Sequence, residues 1–483
     1  MAEFPIGFSP VLSVLSPEDK ARIADSALTL LNDVGMTVMH DEAIALLKGA
    51  GGHLDPEGRV HITPDMVRQA LKTVPNRIQI FNREGETAMD LGGRRPYFGN
   101  GSDLIYALDG ITLEREHCRL AHVEKAALVA DALDNIDFIM SFAHPNEIAP
   151  QRAYLVSFLA MAENSIKPIV NTAECRDDLA AIWQVSCILR GGEDALKAKP
   201  YWVHYAEPIS PLKHPFNSVD KLLFCAQTAM PVIYSPAPIS GSTAPITMAG
   251  HVAQGLAESF CGLVIHQLKA PGAPFVMGMG AAVLDMATGQ CSYNAPEYYM
   301  AYLAMVEMSH HFDIPNWGYA GTSDAQLPDQ QAAVESGMLT LMAALIGSNL
   351  NHDVGYLDFG RTGSLEMMVI GDEVIDQVRR IMKGIPVDDA TLAADVVAQA
   401  GPAGQFLTHP HTMQHLRSTQ WRPRLFCRDG FDKWQAKGGT TLLQRARTKL
   451  DEIVANHQPV PIAAEKLAPI RKLVDGFKVE QSG

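Results

Sequence analysis

The feature that most constrains this chain is a rhythm. Short apolar stretches, often opened by Pro and closed by Gly or small polar residues, recur roughly every 30–45 residues through the middle of the sequence. There are eight: Tyr97–Gly101, Asp137–Phe142, Pro168–Thr172, Pro200–Tyr205, Pro231–Ser235, Pro274–Met279, Pro315–Tyr319 and Ser348–His352. Each is short and nearly continuously apolar, as parallel strands buried on both faces should be. Helical spacing fills the gaps, at Val123–Leu133, Gln151–Ala162, Asp177–Leu189, Val219–Ala229, Ile246–Leu268, Glu297–His311, Pro328–Ile346 and Asp372–Met382. Eight strand-then-helix units predict an α/β chain built as a (β/α)8 TIM barrel. A doubly wound open sheet would give the same local signals.

A plain barrel of this kind needs about 250 residues, and the chain has 483. The surplus reads as an N-terminal α+β collar over residues 1–94 and a C-terminal helical extension over 388–483, with the barrel between at 95–387. The long flanking segments leave room for a homo-oligomer. Composition narrows the class. Hydrophobic residues are 47% and charged residues 19%, which suits a chain with a large core. The net charge of −15 argues against a nucleic-acid partner and suits a cationic one. No apolar run reaches the roughly 18–20 residues that span a bilayer, so no membrane partner is expected. The start, Met1–Pro5, lacks the character of a signal peptide. The seven scattered cysteines, without a Cys-x-x-Cys pair, suit a reduced cytoplasm.

In such a barrel the active site forms at the C-terminal ends of the strands. Asn100 and Asp103 follow the first strand. His204, Tyr205 and Glu207 close the fourth, and Asp324 follows the seventh as a candidate helix cap. The eighth leads through His352 and Asp353 to Tyr356, Phe359 and Arg361. The aromatic residues Tyr97, Tyr205, Tyr234, Trp317, Tyr319, Tyr356 and Phe359 are candidates to ring the mouth, where their π faces can hold a cation. Nucleotide-binding loops, His-Glu-x-x-His and the Gly-x-Ser-x-Gly elbow are absent. Two groups, His409/His411/His415 and His204 with Glu207 and either His352 or Asp353, are weak as metal sites, and no metal is expected.

Several stretches together resemble the trimethylamine methyltransferase family. They are Glu18–Gly35, ending Leu-Leu-Asn-Asp-Val-Gly; Gly99–Asp103; Ala320–Gln326; Gly355–Leu357; Gly371–Glu373; Gln405–Thr412; and Trp421–Pro423. The resemblance implies a (β/α)8 fold. It also implies transfer of a methyl group from a methylated amine to the cobalt of a corrinoid (cobalamin) carried by a separate protein. The methanogen trimethylamine enzymes carry pyrrolysine in the segment corresponding to Gly360–Glu366, where this chain has only ordinary residues. The resemblance is therefore to the branch acting on quaternary amines, with glycine betaine the expected substrate and dimethylglycine the product. None of the 17 histidines follows an Asp by two places, so the base-off corrinoid signature is absent and a corrinoid protein is the expected partner.

The chemistry is consistent with that expectation. A quaternary ammonium is permanently charged, and its nitrogen departs as a neutral amine, so no general acid is required. The site must hold the cation, orient one methyl group and exclude water. Glu207 and His352 are the expected catalytic pair. Tyr97, Asn100, Asp103, His204, Tyr205, Tyr319, Tyr356, Phe359 and Arg361 are the expected substrate-binding residues. Arg361 and His352 are assigned to a substrate carboxylate. Two other functions fit the same residues: a metal-assisted hydrolase or lyase using His204, Glu207 and His352, and a non-catalytic betaine-binding protein.

Overall fold

A computed structural model describes residues 7–478; the opening Met1–Pro5 lies outside them. Seven short strands carry the apolar rhythm: β1 (Tyr97–Phe98), β2 (Ile169–Asn171), β3 (Trp202–Ala206), β4 (Val232–Tyr234), β5 (Phe275–Met277), β6 (Trp317–Tyr319) and β7 (Leu350–His352). All their mutual pairings are parallel. β2, β3, β4 and β5 form one ladder, with Val203 opposite Val170 and Ile233 opposite Val276. β6, β7 and β1 form another, with Trp317 opposite Leu350 and Leu350 opposite Tyr97. Single parallel bridges join the two ladders: Gly99–Phe138 and Ile139–Ile169 on one side, Met277–Asn316 on the other.

The expected second strand, Asp137–Phe142, makes bridges but no ladder, and side chains explain why. The Asn100 amide donates to the Met140 carbonyl at 2.8 Å, and its carbonyl oxygen accepts from the Met140 N–H at 3.1 Å. The Asp137 carboxylate accepts from the Phe98 N–H at 2.7 Å. These bonds hold the segment in place where backbone pairing would otherwise do so.

Helices connect the strands much as the spacing predicts: Leu120–Ala132, Pro150–Asn164, Arg176–Arg190, Phe216–Thr228, Met248–Lys269, Pro296–His311, Gln330–Ile346 and Leu365–Met382. Pro150 and Pro296 open theirs at the first turn, where the missing N–H costs nothing. Pro328 falls outside its helix, and the Asp329 side chain caps it instead.

Because strand side chains alternate, every second residue faces the interior. Phe138, Met140, Val170, Val203, Ile233, Val276, Trp317 and Leu350 form that inner layer. The hairpin of Ile78–Phe81 and Thr87–Leu91 adds Ile78, Ile80, Met89 and Leu91 from the side of the strand N-termini and closes the floor. Each fully buried aliphatic side chain there contributes about 1.5–3 kcal/mol.

The leading residues pack on the outside. Pro17–Thr29 begins with a Ser16–Asp19 capping box and lies with Pro64–Thr73 against Met248–Lys269. It ends in a π-helical turn, Leu30–Val34, whose last bond runs from the Gly35 N–H to the Leu30 carbonyl at 3.0 Å. Gly35 has φ +77°, a conformation that favours glycine, which gives the Leu-Leu-Asn-Asp-Val-Gly stretch its physical meaning. At the other end Leu442–Asn456 packs on Leu365–Met382, and Arg447 donates to Glu366 at 2.7 Å and Asp109 at 2.8 Å. No helix among the described residues is long and apolar enough to cross a membrane.

Candidate active site at the strand C-terminal ends

One residue pair beyond the inner layer, the same alternation brings a second layer into the interior. Thr172 follows Val170, Tyr205 follows Val203, Tyr319 follows Trp317 and His352 follows Leu350. Here the interior is not filled. A cavity of about 280 Å³ opens, lined by these residues together with Asp103, Glu207, Tyr293, Trp317, Asp353 and Tyr356 and smaller neighbours such as Ser102, Thr322 and Gly360.

The aromatic wall is continuous. The Trp317 and His352 rings stack at 4.1 Å, Tyr319 lies 4.5 Å from His352, and Tyr205 lies 5.7 Å from Trp317. Burial holds the phenols of Tyr205, Tyr293, Tyr319 and Tyr356 above their usual range, so they line the cavity as neutral rings. His352 Nδ1 sits 2.7 Å from the Gly318 carbonyl oxygen. That oxygen can only accept, so Nδ1 carries the proton and Nε2 faces Asp353 Oδ1 at 3.3 Å. Burial pushes the imidazole down to about 3, so His352 is neutral near pH 7.

Three carboxylates share this space. Burial raises Asp353 well above the usual carboxylate range. It occupies φ +80°, and Gly101 makes room for it: a Cβ at Gly101 would lie 2.2 Å from Asp353 Oδ1. Glu207 meets solvent at the cavity opening, yet protein surrounds most of it, and that burial raises its carboxyl despite a 2.9 Å hydrogen bond from the Tyr205 hydroxyl. Asp103 accepts from the Thr172 hydroxyl at 3.3 Å and lies 3.9 Å from His144, whose pKa its hydrogen bond raises. Among the described residues, no lysine or arginine lines the cavity.

The sequence of the trimethylamine methyltransferase (MTTB) family matches residues 2–480 of this chain. The chain belongs to that family. It is a methyltransferase. It is 29% identical over 470 residues to a glycine betaine methyltransferase of Desulfitobacterium hafniense (strain Y51), covering 96% of this chain and 97% of that one. It is 27% identical over 465 residues to the trimethylamine methyltransferase MttB of Desulfitobacterium hafniense (strain DSM 10664 / DCB-2), covering 96% and 94%. The Methanosarcina barkeri monomethylamine methyltransferase (MtmB) structure aligns over 93% of this chain and 96% of that chain, with 13% identity and a TM-score of 0.49.

Of the residues expected at the site of this trimethylamine methyltransferase family member, Asp103, Tyr205, Glu207, Tyr319, His352 and Tyr356 meet at the cavity. Five do not. Tyr97 sits at the opposite end, beside the floor hairpin, where its hydroxyl accepts from the Asp90 N–H at 3.0 Å. Asn100 is fully buried and spent on Met140. His204 has the wrong parity: Val203 and Tyr205 point inward, so it points outward, where burial and the Lys221 charge push its pKa far down. Phe359 does not line the cavity, and the Arg361 guanidinium lies 5.6 Å from its ring. Arg361 itself is exposed and bonds the Asp358 carboxylate at 2.8 Å. The carboxylate-anchoring pair is therefore not assembled, since Arg361 is engaged elsewhere and His352 is neutral. Tyr234, a further ring candidate, also faces outward and bonds His214 Nδ1 at 2.7 Å.

Sequence reasoning missed Tyr293 and Thr172 and gave Asp324 the wrong part. Asp324 caps no helix: its carboxylate accepts from the Tyr293 N–H at 3.0 Å and the Asn294 N–H at 3.2 Å, fixing Tyr293 at the cavity. The usable signal was a strand-end carboxylate with no helix starting at the next residue. The grouping of His204 with Glu207 and His352 that a metal-assisted hydrolase needs does not form, because His204 lies on the far side of its strand. Among the described residues no cluster of three or more His, Cys, Asp or Glu is arranged to hold a metal ion.

Proposed function

We propose that this methyltransferase takes a methyl group from a methylated ammonium ion and passes it to the cobalt of a corrinoid carried by a separate protein that docks over the cavity. The observation that carries this reading is the cavity wall: five Tyr and Trp rings, a neutral His352 and three carboxylates, with no lysine or arginine among the described residues, in a chain of the trimethylamine methyltransferase family. A fixed cation suits that wall on two counts. Cation–π contact with Tyr and Trp faces is worth about 0.5–2 kcal/mol. A carboxylate about 4 Å away adds on the order of 4 kcal/mol at an effective dielectric of 20.

Each residue then has a task. Glu207 and Asp103 supply negative charge near the opening. Tyr205, Trp317 and Tyr319 give the methyl groups an apolar, dry surface and limit their rotation. His352, neutral and bonded to Gly318, supports the wall and supplies no proton. During transfer the C–N bond breaks, its electron pair stays on nitrogen, and the amine leaves neutral, so no acid is called for. A Co(I) corrinoid, when docked, would supply the nucleophilic electron pair that the methyl carbon accepts.

The pairings among the eight segments support reading the strand set as a closed (β/α)8 barrel. Residues 1–94, 95–387 and 388–483 then serve as collar, barrel and helical extension. The test is transfer itself. Purified chain, a reduced Co(I) corrinoid protein and a quaternary or tertiary methylamine should change the corrinoid absorbance and release the demethylated amine in equal amounts. No transfer from any methylated amine would sink the proposal.

A further inference from the structure

We infer that the cavity selects methylated ammonium ions whose remaining substituent is an uncharged alkyl or hydroxyalkyl group, and discriminates against betaines that carry a carboxylate. This rests on the function proposed above and adds the substrate class. The cavity, about 280 Å³ in volume, has the size of a small substrate, with Asp103 and Asp353 in its lining and Glu207 at its opening. A substituent on the ammonium therefore lies beside one of these three, whether it stays inside or points to the mouth. A betaine carboxylate would enter the same recess as these three, whose ionised forms repel it, and no lysine or arginine among the described lining residues meets it.

The basic groups around the cavity are paired with other residues or neutral. Arg361 is held by Asp358. The Lys221 ammonium donates to the Ala173 carbonyl oxygen and has Glu174 and Asp178 around it. His144 lies behind Asp103 and is paired with it. His352 lines the cavity but is neutral. The hydroxyls of Ser102, Thr172 and Thr322 can donate hydrogen bonds, but they bring no charge to offset the repulsion. An alkyl or hydroxyalkyl arm meets none of this cost, and a hydroxyl arm finds partners among those same side chains.

The experiment is a titration calorimetry panel on the full chain with tetramethylammonium, choline and glycine betaine, repeated as kcat/KM in the transfer assay with the corrinoid protein. Tetramethylammonium or choline is expected to be favoured over glycine betaine by about 100-fold or more. The Glu207→Gln variant should narrow that ratio, since it removes attraction for the cation and repulsion for the betaine together. Glycine betaine bound or demethylated as well as choline overturns the inference while leaving the methyltransfer reading intact. A ratio unmoved by Glu207→Gln also overturns it. Failure of all three compounds in both assays overturns the inference, and the methyltransfer reading falls with it only if no other methylated amine, trimethylamine included, is demethylated either.

Discussion

The two ends of the strand set receive the same alternating side chains and are finished in opposite ways. At the floor, Ile78, Ile80, Met89 and Leu91 close the interior, and the Tyr97 hydroxyl beside them meets the Asp90 N–H. At the mouth, one step further along the same strands, the interior is left open and three carboxylates share a small cavity. The floor follows the rules of packing throughout. The mouth breaks them: it keeps a void and buries acids whose pKa rises as a result. Burial without an opposite charge costs stability, and that cost is concentrated where a cation would relieve it. The difference separates what holds the chain together from what is available for chemistry.

The largest expected effect breaks the comparison from below. Ile80→Ala should lower unfolding stability by about 2–5 kcal/mol through the cavity it leaves, read in a urea titration. KM of the folded enzyme should stay unchanged. A shifted KM would mean that the floor shapes the mouth.

A second test sharpens it from above. A fixed cation cannot titrate, so pH dependence in its binding comes from the protein. Cation binding favours the ionised forms of Glu207 and Asp353, whose pKa values are raised in the free protein. Affinity should therefore rise with pH until both are ionised, with proton release on binding seen as a buffer-dependent heat. Loss of positive charge from His144, also raised, works in the same direction, while Lys221 and Glu174 stand behind the wall. Affinity that falls as pH rises would contradict this account. Stability runs the other way: these acids bind more protons when folded, so their contribution is present at low pH and lost as pH climbs through the raised values.

The smallest effect is at Arg361→Ala. An exposed side chain paired with Asp358 should change stability by no more than about 0.5 kcal/mol and leave kcat/KM essentially unchanged. A large loss of activity would return this arginine to the cavity.

Most strand positions, and the end of the strand set where the cavity opens, were legible because Pro and Gly punctuate the sequence and the period repeats. The pleat was not. In a strand exposed on one face, alternating polar residues reveal which side faces in. Here both faces are buried, so Trp202, Val203, His204 and Tyr205 give no cue, and His204 was exchanged for Thr172 as an inward-facing residue. Tyr97 failed for a different reason: it begins its strand, and a strand only two residues long places its first side chain at the floor. Tyr293 was out of reach because a carboxylate 31 residues away in sequence brings it to the cavity.

That carboxylate has a consequence for how such a pocket changes over time. Tyr293 rides just past a two-stranded hairpin, Val283–Leu284 with Cys291–Ser292, which is pinned to the next strand's loop through Asp324. One wall of the pocket is therefore an exchangeable cassette. Replacing it would alter the shape offered to a ligand while leaving β1 to β7 in place. Substrate range can drift by swapping that insert, provided the aspartate that latches it stays.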